Sequence, residues 1–187
     1  MDPRDAVMLT VQGEQRGALH GRTLLQKKLY FASVLANEEF GFRPHYYGPY
    51  SQTLAGAVDS LVSNGFLSES VESFPGEPNL FGERRRHSYS LTDDGKAVVE
   101  AMPETEESME WRKALNRINS HDVAQDFNLL SVAAKVHVIL KELGRATTSE
   151  IRRQAQNYGW QLSDPEIKEV GGFLQHLGLV TRSAPGP

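Results

Sequence analysis

The sequence contains no cysteine and no long apolar run. The absence of cysteine excludes disulfides, cysteine zinc ligands and thiol nucleophiles, and it is typical of proteins in a reducing cytosol. No apolar stretch approaches the roughly 20 residues that a membrane-spanning helix needs. The first residues, Met1-Asp2-Pro3-Arg4-Asp5, do not resemble a secretory signal. We therefore expect a cytoplasmic protein that makes no contact with a membrane.

Motifs that carry chemistry are also missing. We find no Gly-rich phosphate loop, no nucleophile elbow and no paired-carboxylate motif. The six histidines are scattered, and no two of them have the spacing of metal ligands. The sequence therefore predicts no enzyme, no metal and no cofactor.

Positive charge is in short supply. The formal net charge is -4, whereas tight DNA binders are often basic, because their cations release counterions from phosphates. The charge is uneven: residues 129–187 carry seven Lys and Arg against five Asp and Glu, a net charge of +2. Any nucleic-acid binding would therefore depend on a local basic patch.

Hydrophobic periodicity and capping residues predict a mainly α protein with a small β-hairpin. Helices are predicted at 4–18, 23–39, 51–64 and 92–101, and strands at 66–71 and 87–91. Thr23 and Gln26 have the spacing of a capping box, which would begin the second helix. Three helices followed by a hairpin and a further helix are typical of a winged helix-turn-helix.

The chain is predicted to contain two such units in tandem. Residues 1–101 form an N-terminal winged-helix domain, residues 102–127 an acidic linker with a connecting helix, and residues 128–187 a C-terminal winged-helix-like domain. Capping boxes that begin at Thr147 and Ser163 predict two helices in the last segment. Residues 179–181 are predicted to begin a strand, with almost no room left for a wing.

The run Tyr89–Lys96 contains the most distinctive local pattern. It resembles the "Y-x-L-T-x-x-G" run that closes the wing in PadR-like and MarR-like transcription regulators. Tyr89 and Leu91 alternate towards a core, Thr92 caps the next helix, and the two acids after it favour the positive end of that helix. This resemblance implies a winged-helix fold and says nothing about a ligand.

Two further segments carry a broader resemblance. Gly21–Tyr30, with the pattern "GRT-x-LQK-x-x-Y", and Tyr46–Ser51, "YYGPYS", together resemble the YwgA-like family of bacterial winged-helix proteins. They are more distantly similar to the Panacea (SocA-type) antitoxin domain. Residues 136–179 also look like the C-terminal half of that family, and Arg84-Arg85-Arg86 is a departure from it. The resemblance implies a fold more firmly than a function.

Nine side chains are predicted to contact nucleic acid. Two begin the predicted recognition helix, four lie in the wing and three lie near the start of helix 23–39: Gln52, Thr53, Arg84, Arg85, Arg86, His87, Arg22, Lys27 and Lys28. Amides and hydroxyls near a helix N-terminus reach base edges, and arginines grip phosphates or enter a minor groove. Asp59 opposes binding, and a solvated polar surface is the alternative for both sets.

Tyr46, Tyr47 and Tyr50 cluster around Gly48-Pro49. Stacking on bases is one role for them, and packing of the turn against the first helices is the role that we favour.

Two functions follow from these features. The first is a homodimeric winged-helix regulator of transcription that binds double-stranded DNA. The second is a protein-interaction module without DNA binding of its own, favoured by the acidic balance and by a recognition helix without cations. Panacea-type antitoxins bind a protein toxin, and the kleisin-binding subunits of bacterial chromosome-organising complexes also contain tandem winged helices.

Overall fold

The N-terminal half consists of helices around a small antiparallel sheet. The computed structural model describes residues 1–14, 17–73 and 85–181. Its first elements are α1 (Pro3–Gln12), β1 (Leu19–His20), α2 (Arg22–Leu35), α3 (Gln52–Ser63), β2 (Leu67–Ser73), β3 (Arg85–Leu91) and α4 (Asp93–Ala101). The strand order is β1-β3-β2, and β3 is antiparallel to both neighbours. The predicted mainly α fold with a small β-hairpin is confirmed, with β1 as an added strand.

All regular elements in the described part of the C-terminal half are helical. Its elements are α5 (Glu106–Asn119), a 3₁₀ turn (Asp122–Gln125), α6 (Phe127–Leu143), α7 (Thr148–Asn157) and α8 (Asp164–His176). The capping boxes at Thr147 and Ser163 are confirmed. The strand predicted at residues 179–181 is wrong, because a strand needs a partner and no described residue from 102 to 181 forms one. None of the described helices is both long and apolar enough to cross a membrane.

Helix α2 lies at the centre of the molecule. Its residues 24–33 are all buried, because α1, α5 and α6 pack around it. The Phe31 ring meets Phe173 of α8 edge-on at 5.2 Å between ring centres, and the Tyr30 hydroxyl lies 2.7 Å from Nδ1 of His137. One hydrophobic core therefore runs through both halves, and the division into two domains stays a prediction.

The acidic segment after α4 is attached to the N-terminal half. The predicted connecting helix is α5, and its Trp111 is 0% exposed. The indole of Trp111 donates to Oγ1 of Thr10 at 3.1 Å and meets the Phe40 ring edge-on. The acids at the start of α5 remain on its exposed side. This helix is therefore part of the core and does more than connect two units.

Candidate interaction surface

A tight surface turn joins the segment after α2 to α3. Its ends pair as an antiparallel bridge, in which the amides of Arg43 and Tyr50 each donate to the carbonyl of the other at 3.0 and 2.9 Å. Inside it, His45 and Gly48 exchange a second pair of backbone hydrogen bonds. Gly48 has a φ of 97°, a conformation that favours glycine. We call residues 43–50 the tyrosine turn.

Two side chains of α2 hold this turn from below. Nζ of Lys27 donates to the carbonyl of Pro49 at 2.7 Å. The amide of Gln26 makes two bonds to the backbone of Ser51, donating to its carbonyl at 3.2 Å and accepting from its N–H at 3.0 Å. The two segments that resemble the YwgA-like family are therefore one structural unit. The predicted Thr23–Gln26 capping box is wrong, because Gly21 is the N-cap without a side-chain bond and Gln26 is committed to Ser51.

The C-terminal half holds the same turn from the other side. Oγ of Ser131 in α6 donates to the carbonyl of Tyr47 at 2.8 Å, and the indole of Trp160, between α7 and α8, donates to the carbonyl of His45 at 2.8 Å. A Cβ added at Gly48 would lie 3.2 Å from the side chains of both Lys27 and Lys135. The backbone of the tyrosine turn is thus fixed by three separate parts of the chain.

The amine of Lys27 has unusual electrostatics. Lys27 is 1% exposed, and burial, together with the positive charge of Lys135, lowers its pKa to about 7. Burial also lowers the pKa of Lys135, whose Nζ lies 5.8 Å from the ring centre of Trp160. The Lys27 amine is therefore only partly charged near neutral pH and serves as a hydrogen-bond donor beneath the turn.

The outer side of the tyrosine turn is aromatic. Tyr46 is 66% exposed, and its ring meets that of Tyr47 edge-on at 5.0 Å. The rings of His45 and Tyr50 lie 5.3 Å apart, and the side chain of Arg43 is exposed beside them. The expectation that the tyrosines anchor the turn is wrong for Tyr46, because buried Gly48 and Pro49 face the core instead. A rigid backbone therefore presents aromatic rings to the outside.

The predicted contacts on α3 and in the hairpin have mixed outcomes. Gln52 and Thr53 are exposed at the start of α3, as predicted, and Asp59 is exposed on the same helix. Arg84 lies outside the described residues. The backbones of Arg85 and Arg86 lie in β3, and their side chains are outside what the structure describes. DNA binding by these residues stays a prediction.

The structure does not place Lys27 and Lys28, which were predicted to contact phosphate, at the surface. Lys28 is 0% exposed, and its Nζ donates to the Glu14 carboxylate and, at 2.9 Å, to Oδ1 of Asn119. Both amines lie inside because α2 is covered on every side. The amine of Lys28 is paired with Glu14, and the amine of Lys27 donates to Pro49. Neither amine is therefore at the surface.

Arg22 belongs to a polar cluster on the sheet. One oxygen of Glu69, Oε1, lies 3.1 Å from Nη2 of Arg22, 2.7 Å from the Tyr89 hydroxyl and 2.8 Å from Nδ1 of His87. Nε of Arg22 also donates to the Tyr89 hydroxyl at 2.9 Å. Burial acts to raise the pKa of Glu69, but these three hydrogen bonds outweigh it and the pKa is lowered. The charge of Arg22 is therefore paired within the fold.

Replacing Glu69 by glutamine is expected to weaken this cluster and to change its acid response. The lowered pKa means that the charged carboxylate stabilises the folded state above the ordinary glutamate pKa, and this stability is lost as the pH falls through the lowered value. Urea unfolding between about pH 2 and pH 7 should therefore show a smaller acid-dependent loss in Glu69→Gln than in the wild type. Identical pH profiles would contradict the pairing, and Glu104→Gln, at an exposed glutamate before α5, is the control.

The described residues define a mainly helical protein with a three-stranded sheet and a surface turn fixed by buried polar side chains. Among them, no three His, Asp or Glu side chains are close enough together to hold a metal ion. No protein-family profile matches the chain. It is 34% identical over 87 residues to YwgA, an uncharacterized protein of Bacillus subtilis (strain 168), and the match covers 45% of this chain and 47% of YwgA. This similarity supports the YwgA-like resemblance, and the Panacea resemblance stays a prediction.

Proposed function

We propose that the chain is a non-catalytic, winged-helix-type binding module whose partner is another protein, bound through the tyrosine turn. The observation that carries the proposal is an exposed aromatic surface on a backbone that buried side chains hold in place. Tyrosine and arginine are enriched at the energetic centres of protein interfaces. A surface that is already ordered loses little conformational entropy on binding, which favours affinity.

The order of elements supports the winged-helix part of this proposal. In residues 1–101, three helices precede a β-hairpin, a short strand before α2 joins the hairpin, and α4 follows it. The consecutive helices α7 and α8, which contact each other, are the matching feature of the C-terminal half. Both halves would then be helix-turn-helix units that share α2 as a common core helix.

The distribution of charge favours a protein partner over DNA. Helix α3 contains no Lys or Arg, Lys27 and Lys28 are internal, and Arg22 is paired with Glu69. Non-specific DNA affinity comes almost entirely from cations that neutralise phosphates, and these positions offer little of it. Double-stranded DNA bound by a homodimeric regulator is the second candidate, favoured by the exposed Gln52 and Thr53 at the start of α3.

Replacing Tyr46 by alanine is expected to weaken the binding of the partner by at least about tenfold, since a central tyrosine typically contributes about 2 kcal/mol or more. Tagged wild type and variant would be used to capture proteins from a lysate of the source organism, and the affinity of the enriched partner would then be measured directly. Met109→Ala, at an exposed apolar position on α5, is the matched control. The thermal midpoint should be unchanged in both variants, because both side chains are exposed.

The competing function is tested on the same proteins. Fluorescence anisotropy with random-sequence duplex DNA should show no binding at physiological salt. Micromolar binding that is lost steeply as the salt concentration rises, combined with a partner capture that Tyr46→Ala leaves unchanged, would contradict the proposal and favour the DNA-binding regulator.

A further inference from the structure

An open groove lies in the C-terminal half, between α6, α7, α8 and the segment after α8. Its volume is about 850 Å³. Its apolar floor consists of the buried Val136, Ile151, Ile167 and Leu174 and of the half-buried Leu140 and Leu179. The last of these belongs to the segment at 179–181 that was predicted as a strand and has no strand partner in the described part of the chain. We call this feature the C-terminal groove.

The rim of the C-terminal groove is positively charged. Lys141, Arg145 and Lys168 line it and are exposed, and none of its lining residues is acidic. No ion pair among the described residues includes any of these three cations. The nearby acids Glu150 and Glu166 are held at the ends of their own helices by capping boxes. The three cations of this rim are therefore not held in ion pairs by the described residues.

We infer that the C-terminal groove binds an acidic amphipathic helix of a partner protein. Such a helix places apolar side chains at i, i+3, i+4 and i+7 along one stripe, and these would contact the floor. Its flanking carboxylates would then lie against Lys141 of α6 and Lys168 of α8. An amphipathic helix in an apolar groove is a recurring mode of peptide recognition, and complementary charge gives it specificity and a fast association rate.

The shape of the groove argues for a helix over DNA. A duplex is read by a protruding element that enters its major groove, whereas this surface is concave and its floor is apolar. The groove also lies on a different side of α6 from the tyrosine turn, since Val136 and Leu140 line it while Ser131 and Lys135 face the turn. The inference is thus independent of the function proposed above.

A synthetic peptide tests this inference directly. We would use a fluorescein-labelled helical peptide of about 20 residues, with leucine at i, i+3, i+4 and i+7 and glutamate on both flanks. A matched peptide would carry lysine in place of each glutamate. Anisotropy should give micromolar affinity for the glutamate peptide, at least about tenfold weaker binding of the lysine peptide, and an affinity that falls as salt rises.

Charge reversal at the rim provides the matched variants. The double variant Lys141→Glu with Lys168→Glu should lose at least about tenfold in affinity for the glutamate peptide. Lys113→Glu, a reversal at an exposed lysine of α5, and Tyr46→Ala should bind it as the wild type does. Circular dichroism would establish that the rim variant is folded, which is expected because both lysines are exposed.

Four results would overturn the inference. Equal binding of the two peptides would show that the charged rim does not select an acidic helix. Unchanged binding by the folded rim variant would show the same. Loss of a dimer in the rim variant, measured by light scattering, would make a second copy of the chain the occupant. Competition by duplex DNA that depends on the rim lysines would assign the groove to nucleic acid. In each case the capture experiment with Tyr46→Ala would still test the proposed function separately.

Discussion

Replacing Gly95 by alanine is expected to lower the free energy of unfolding by roughly 3 kcal/mol or more. A Cβ at this position would lie 2.1 Å from the carbonyl oxygen of Phe66 and 3.1 Å from its carbonyl carbon. That carbonyl cannot easily move, because it accepts from both the N–H and the hydroxyl of Thr92 at 3.2 Å. Helix α4 would have to shift away from the start of β2 to make room.

Thermal unfolding followed by circular dichroism measures the effect. For a chain of this size, a loss of that order lowers the midpoint by about 6–12 °C. Gly56→Ala in α3 is the matched control, because a Cβ there has open space around it and alanine is favoured over glycine in a helix by about 0.5–1 kcal/mol. The two substitutions should therefore act in opposite directions, and a stabilised Gly95→Ala would contradict the contact.

This part of the fold was predictable from local residues. Tyr89 is buried, and the hydroxyl of Thr92 caps α4 by accepting from the N–H of Gly95 at 3.0 Å, as the run Tyr89–Lys96 indicated. Alternation and capping depend only on neighbours in the sequence. The reason for the glycine was not predictable, because Phe66 approaches it from the distant segment just before β2.

The lysines of α2 show a feature that local sequence patterns do not predict. Hydrophobic periodicity predicted a helix at residues 23–39, and Lys27 and Lys28 were predicted to contact phosphate from its exposed face. The structure covers that face as well, with the tyrosine turn over Lys27 and with Glu14 and Asn119 beside Lys28. These partners come from distant segments of the chain. Hydrophobic periodicity depends only on neighbouring residues, so it does not predict them.

The candidate surface was predictable in part. The sequence identified the tyrosine cluster and the two motifs, but it did not predict that Gln26 and Lys27 hold the turn. Ser131 and Trp160 carried no signal at all, because one serine on an apolar helix and one tryptophan in a loop have many ordinary roles. The strand β1 was missed for a similar reason, because it has two residues and exists only through its pairing with β3.

The stability that Lys27 contributes is expected to rise with pH above neutrality. Its folded-state pKa is lowered to about 7, against about 10.4 in an unfolded chain. Between these values the unfolded state binds a proton that the folded state has released, so raising the pH favours folding. The loss of stability caused by burying the charge of Lys27 is largest below the pKa of the folded state, and it disappears above the pKa of the unfolded state.

The variant Lys27→Met separates this effect from other titrations. Urea unfolding at pH 7, 8 and 9 would be measured for the wild type, for Lys27→Met, and for Lys113→Met as an exposed control. From pH 7 to pH 9 the wild type should gain about 2 kcal/mol relative to Lys27→Met, while Lys113→Met should follow the wild type. A constant difference between the wild type and Lys27→Met would contradict the lowered pKa.

The titration of Lys27 is expected to change the stability of the fold without changing the arrangement of the tyrosine turn. A neutral amine and a charged one both donate hydrogen bonds, so the bond from Lys27 to the carbonyl of Pro49 persists across this pH range. Wild-type binding of the partner should therefore stay constant from pH 7 to pH 9 while stability rises. Lys27→Met leaves the Pro49 carbonyl without its donor, and we expect weaker partner binding in this variant at every pH, measured as an affinity on the folded protein.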